Sequence, residues 1–101
     1  MTHRPRFSRR TIIHDWRKAK RDHKGKIILM RGKRQVWVLG EDANDLKAIL
    51  GGRIKYRDGI KIYRFPVEEF RQNLQRIRRA GHNVVVFART YLLRSDPEIG
   101  W

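Results

Sequence analysis

"ILMRGKRQVWVLGEDA", residues Ile28 to Ala43, carries the plan of the fold. An apolar run meets Arg31-Gly32-Lys33-Arg34, a second apolar run follows, and Gly40-Glu41-Asp42 opens a helical pattern. Short runs rich in Ile, Leu, Val and Trp, broken by glycine, read as strand, tight turn and strand. Gly32-Lys33 suits a two-residue turn with glycine at its first central position. That turn sets Arg31 opposite Arg34, Met30 opposite Gln35, Leu29 opposite Val36 and Ile28 opposite Trp37. Alternation along the strands then puts Ile27, Leu29, Val36 and Val38 on one face and Ile28, Met30, Gln35, Trp37 and Leu39 on the other. Both faces are mainly apolar, so both are expected to be covered, with Trp37 in the core.

Downstream, Glu41 to Leu50 reads as a short helix. Acids sit at its positive end, Ala43, Leu46, Ile49 and Leu50 form its apolar side, and Gly51-Gly52 ends it. "RIKYRDGIKIYRF", Arg53 to Phe65, reads as a second hairpin. A two-residue Asp58-Gly59 turn would set Ile60 and Ile62 on the face of Arg53, Lys55 and Arg57. A three-residue loop, Arg57 to Gly59, instead unites Ile54, Tyr56, Ile60 and Ile62, and is the preferred expectation. Arg53, Lys55, Lys61 and Tyr63 then share the other face, with Lys55 opposite Lys61, a like-charge pair that solvent or an anion must relieve. Pro66 suits the first turn of a further helix, with Val67, Phe70, Leu74 and Ile77 at helical spacing and Gly81 as its stop. "NVVVFA", Asn83 to Ala88, reads as a central strand buried on both faces.

Upstream, residues 1–10 read as a flexible basic arm carrying Arg4, Arg6, Arg9 and Arg10. Residues 11–25 read as a basic amphipathic helix capped by Thr11, with Ile12, Ile13, Trp16 and Ala19 on a thin apolar stripe. Arg17, Lys18, Lys20, Arg21 and Lys24 fill the remainder. Residues 26–101 are expected to form one domain, with an unassigned tail from residue 89. The sum is an α/β or α+β domain, a small mixed sheet of about five strands flanked by helices, in the order α-ββ-α-ββ-α-β behind the basic N-terminal arm.

Charge is the strongest global signal. Lys and Arg total 25 against 10 acids in 101 residues, a net charge of +15. Residues 1–34 hold 13 Lys/Arg against 2 Asp, an excess of 11; residues 35–101 hold 12 against 8, an excess of 4. Self-repulsion at this density favours a polyanionic partner. The expected function is non-enzymatic nucleic-acid binding through backbone phosphates, DNA ahead of RNA. The alternatives are an RNA-binding or ribosome-associated protein, and a basic adaptor that orders against an acidic protein. The candidate contacts are Arg4, Arg6, Arg9, Arg10, Arg17, Lys18, Lys20, Arg21 and Lys24 on the arm and helix, Arg31, Lys33 and Arg34 at the first turn, and Arg53, Lys55, Lys61 and Tyr63 on the second hairpin.

Catalytic patterns are missing. His3, His14, His23 and His82 lack metal-ligand spacing, and no phosphate-binding glycine loop, nucleophile elbow or cysteine occurs. No cofactor, metal or enzymatic activity is expected. No run of about 18 apolar residues occurs, so no membrane span is expected. The basic N-terminus is followed by no apolar segment, so secretion is not expected, and a cytoplasmic, nucleoid or nuclear location is.

"LMRGKRQVWVLGEDA" and "LQRIRRAGHNVVVFA", within Lys26 to Ala88, resemble the N-terminal mismatch-recognition domain of MutS-type DNA repair proteins. In that family a strand, a glycine-containing turn, a second strand and an acidic-acidic-Ala helix start come in this order. The resemblance implies a DNA-facing fold. The family's Phe-x-Glu motif is not preserved: its two places fall on Gln35 and Trp37, and no carboxylate remains there.

Overall fold

A computed structural model describes residues 9–57 and 59–88. β1 (Ile27–Arg31) and β2 (Gln35–Leu39) form the first hairpin, and α2 (Glu41–Leu50) follows. β3 (Lys55–Arg57) and β4 (Ile60–Pro66) form the second, followed by a 3₁₀ turn (Val67–Glu69), α3 (Phe70–Arg79) and β5 (Val84–Phe87). α1 (Arg9–Asp22) precedes them all. The strands make one mixed sheet in the order β3-β4-β2-β1-β5, with β1 and β5 parallel and the other pairs antiparallel. The fold is thus a small α+β domain with the expected element order.

Handedness explains the layers. β2 and β3 are parallel and joined through α2; β4 and β5 are parallel and joined through α3. The two crossovers run in opposite directions across the sheet and start from antiparallel strands. Connections of one hand therefore place α2 and α3 on the same face. They cover Ile27, Leu29, Val36, Val38, Tyr63 and Phe65. α1 takes the opposite face, where Ile12 and Ala19 meet Ile28, Met30, Trp37, Leu39 and Ile62. Trp37 is 2% exposed, as expected of a core residue.

The first turn lies one step further along than expected. Met30 pairs with Trp37 and Arg31 with Val36, and the Gly32 N–H donates to the Gln35 carbonyl. Lys33-Arg34 is therefore the two-residue apex. The expected register set Arg31 against Arg34; the observed one sets Arg31 against Val36 and leaves both other cations in solvent. Because the slip in pairing is two residues, every side chain keeps its face.

The second hairpin takes the two-residue turn. Arg57 pairs with Ile60, Tyr56 with Lys61 and Lys55 with Ile62. The long β2–β4 ladder commits Ile62 to the α1 face beside Leu39 and Tyr63 to the opposite face beside Val38. β3 is a three-residue edge strand with Tyr56 63% exposed, so its own alternation carries little energy and turn chemistry decides. The expected Lys55–Lys61 pair does not form.

Three further expectations are corrected. Thr11 is not a cap, because α1 already includes Arg9 and Arg10, good helix formers that carry it past Thr11. Pro66 is the last residue of β4, paired with Gln35, and the next helix starts as a 3₁₀ turn. β5 is an edge strand rather than a central one, with Val86 41% exposed. The rest of the arm through Ser8, the tail from Arg89 and the turn residue Asp58 lie outside the described residues.

Gly40, between β2 and α2, answers two demands. Its φ of 65° and ψ of −143° lie where side-chain-bearing residues are strained. A Cβ there would also lie 2.5 Å from Cη2 and 2.7 Å from Cζ2 of Trp16, whose ring seats α1 on the sheet. Gly51 has a similar backbone, φ 79° and ψ −164°, and open space. Gly40→Ala is expected to destabilise by about 2–4 kcal/mol and Gly51→Ala by about 1–2 kcal/mol. Urea denaturation of the two variants measures the Trp16 contact as their difference.

Candidate nucleic-acid interface

The amphipathic pattern of α1 fixes which of its cations reach solvent. With Ile12, Trp16 and Ala19 toward the sheet, Arg17, Lys18 and Arg21 are exposed on α1; Lys24, expected within the helix, is exposed in the turn that follows Asp22. Lys18 bonds Asp22 at 2.8 Å, one turn along, and this hydrogen bond and charge hold the Asp22 carboxyl below its ordinary range. Arg9 and Arg10 belong to the first turn of α1, and Arg4 and Arg6 lie outside the described residues.

Lys20 does something else. Its Nζ donates to Asp42 Oδ1 at 2.9 Å and to the Lys26 carbonyl at 2.7 Å. Asp42 is 4% exposed, and its Oδ2 accepts the Ile28 N–H at 3.1 Å. One carboxylate at the positive end of α2 thus holds the C-terminal part of α1 and the first residues of β1. Lys20 serves structure where a phosphate contact was expected, and no spacing in the sequence joins residues 22 positions apart.

The first turn carries the second cluster. Lys33 and Arg34 are exposed at the apex. Arg31, exposed at the end of β1, holds its guanidinium 5.6 Å from the centre of the Phe70 ring. This end of the sheet is tied to the start of the 3₁₀ turn, where Val67 N–H donates to the Arg34 carbonyl at 2.8 Å.

The expected basic face on the second hairpin is dispersed. Arg53 is exposed in the segment before β3, and Lys55 lies across from Ile62 on the α1 side. Lys61 lies on the other side and bonds Glu41 at 3.2 Å. Tyr63 is buried under α2, and its hydroxyl donates to the Gly51 carbonyl at 2.7 Å. Burial pushes the Tyr63 phenol up, Glu69 adds to the rise and Arg76 opposes it. The phenol is a core group that locks the end of α2, and it presents no stacking surface.

Trp37 is likewise closed off. It sits between α1 and the sheet, with Arg64 5.5 Å from its ring centre. α3, whose arginines are not among the expected contacts, adds a further basic surface. Its Arg71, Arg76, Arg78 and Arg79 are exposed, and it contains no acid. Only Arg76 is held, through a bond of 2.9 Å to the Ile49 carbonyl, among the described residues of that set. The signal was present: four arginines and no acid in ten residues exceed what the negative end of a helix requires.

Three of the described acids are engaged by lysines: Asp22 by Lys18, Asp42 by Lys20 and Glu41 by Lys61. Arg17, Lys24 and Lys33 form no salt bridge among the described residues. Among the described residues no cluster of three His, Cys, Asp or Glu could hold a metal, and no helix is long and apolar enough to cross a membrane. No family model and no curated protein matches the chain.

Proposed function

We propose that this protein binds nucleic acid without catalysis, through backbone phosphates, with duplex DNA as the first partner. One observation carries the proposal. In a chain of net charge +15, Arg17, Lys18 and Arg21 on the outer side of α1, Lys24 just beyond it, and Arg31, Lys33 and Arg34 at the first turn are all exposed, while Asp22 and Asp42 are taken up by Lys18 and Lys20. Guanidinium and ammonium groups so placed bind phosphates and release condensed counterions.

The MutS resemblance supports DNA over RNA. It does not extend to base insertion, because Trp37, which takes one place of that family's motif, is buried beneath α1. Phosphate contact without base readout predicts weak dependence on sequence.

The test removes exposed cations in sets. Arg17→Gln/Arg21→Gln/Lys24→Gln is expected to weaken duplex binding at ~50 mM salt by about tenfold or more and to flatten the salt dependence by about 2–3 contacts. Lys33→Gln/Arg34→Gln is expected to remove about 1–2 contacts. All five side chains are exposed, so melting temperatures should hold. Tighter binding to structured RNA than to duplex DNA at matched salt would move the partner to RNA. Absence of binding to either, with capture of an acidic protein segment instead, would replace the proposal with the adaptor.

A further inference from the structure

The two ends of the sheet are chemically distinct. The Lys33-Arg34 apex stands where β1 ends. At the other end β1 and β5 begin side by side, with Ile27 N–H donating to the Asn83 carbonyl at 2.9 Å, and α3 terminates beside them. An open depression of about 600 Å³ lies at that junction. Lys26, Arg78, His82 and Asn83 supply its polar lining, and no acid lines it among the described residues.

The cations there have no internal task. The Lys26 ammonium and the Arg78 guanidinium are exposed and have neither hydrogen-bond nor ionic partner among the described residues. The backbone beneath them is fixed: Lys20 holds the Lys26 carbonyl, and the Arg76, Ile77 and Arg78 carbonyls accept N–H groups from Ala80, Gly81 and His82. Those bonds occupy the terminal carbonyls of α3, so the negative helix end, worth roughly half a charge, opposes an anion less than two full cations attract it. Two separated cations beside an imidazole and a carboxamide match the acceptors of a phosphate group.

We propose that this depression is a phosphate-binding site, and that it takes a backbone phosphate of the nucleic acid at the opposite end of the sheet from the Lys33-Arg34 turn. The occupant rests on the function proposed above; the phosphate chemistry does not. A nucleic acid engaging both ends crosses the domain along the strand direction.

The test uses the full chain and inorganic pyrophosphate as the probe, against chloride at matched ionic strength. Amide chemical shifts of Gly81, His82 and Asn83 should move saturably with pyrophosphate. Lys26→Gln/Arg78→Gln should abolish the movement, and Lys47→Gln/Arg71→Gln, which removes the same charge elsewhere, should preserve it. In duplex binding, the first pair should cost about tenfold in affinity and about one contact of salt dependence, and the second pair clearly less. Unmoved amides in the unmodified protein, or equal loss in the two variants, overturn the site. Pyrophosphate binding with no duplex binding keeps the site and removes the nucleic-acid reading. Duplex binding indifferent to Lys26→Gln/Arg78→Gln overturns the backbone-phosphate assignment.

Discussion

Trp37→Ala is expected to destabilise the protein by about 3–5 kcal/mol, a large share of the roughly 5–15 kcal/mol that holds a small domain together. The indole is 2% exposed and packs with Ile28, Met30, Leu39 and Ile62 beneath α1. Truncation removes the largest fully buried side chain and leaves a cavity that a sheet fixed by its ladders closes poorly. Trp37→Phe should cost less, because most of the volume stays. Urea midpoints give the order. The same pair tests the assignment of Trp37 to the core. A tryptophan that stacked on bases would reduce affinity when truncated and leave stability nearly unchanged. Here stability falls, and the affinity of the molecules that remain folded is expected to hold.

Asp42→Ala is expected to cost about 3 kcal/mol. It strips the acceptor from a buried Ile28 N–H, worth about 1–3 kcal/mol, and breaks the pair with Lys20. It also removes a negative charge from the positive end of α2. Asp42→Asn keeps an acceptor for Ile28 and should cost about half as much. Lys20→Met should cost less again, since Asp42 retains the Ile28 N–H. Thermal melts rank the three. A double-mutant cycle between Lys20→Met and Asp42→Asn should show a coupling of about 1 kcal/mol, because the lysine is partly open to solvent. Neither position is expected to change the salt dependence of nucleic-acid binding, which separates Lys20 from its exposed neighbours on α1.

Local pattern made much of the fold legible. The alternation in "ILMRGKRQVWVLGEDA" assigned every core side chain of β1 and β2 to its observed face, and the acids and glycines around α2 bounded it at Glu41 and Leu50. The exact turn was not legible, since Gly32-Lys33 and Lys33-Arg34 give the same faces. In the second hairpin the local apolar alternation points to the wrong loop, because the ladder to β2 sets the face of Ile62 and Tyr63. Strand order was hidden too. "VVVF" suits a central strand, but the crossover through α3 delivers it beyond β1 to the edge.

The candidate interface divides the same way. Amphipathic spacing identified the outward cations of α1, with Lys20 as the exception. Lys20 lies between the apolar stripe and the exposed side, and only the three-dimensional approach of α2 brings Asp42 to it. The basic face of the second hairpin depended on the register that failed, and so it dispersed. The arginines of α3 and Lys26 were visible in sequence as charges without acids, but their convergence depends on β1 and β5 starting together.

The most direct test of the central claim is the salt dependence of binding to a duplex of about 20 base pairs, measured from about 50 to 300 mM salt with two unrelated sequences. The cations exposed on α1 and at the first turn, engaging about six phosphates, predict a log–log slope near −5 and nearly equal affinities for the two sequences. A slope shallower than about −2, or no binding at ~50 mM salt, would contradict binding through backbone phosphates.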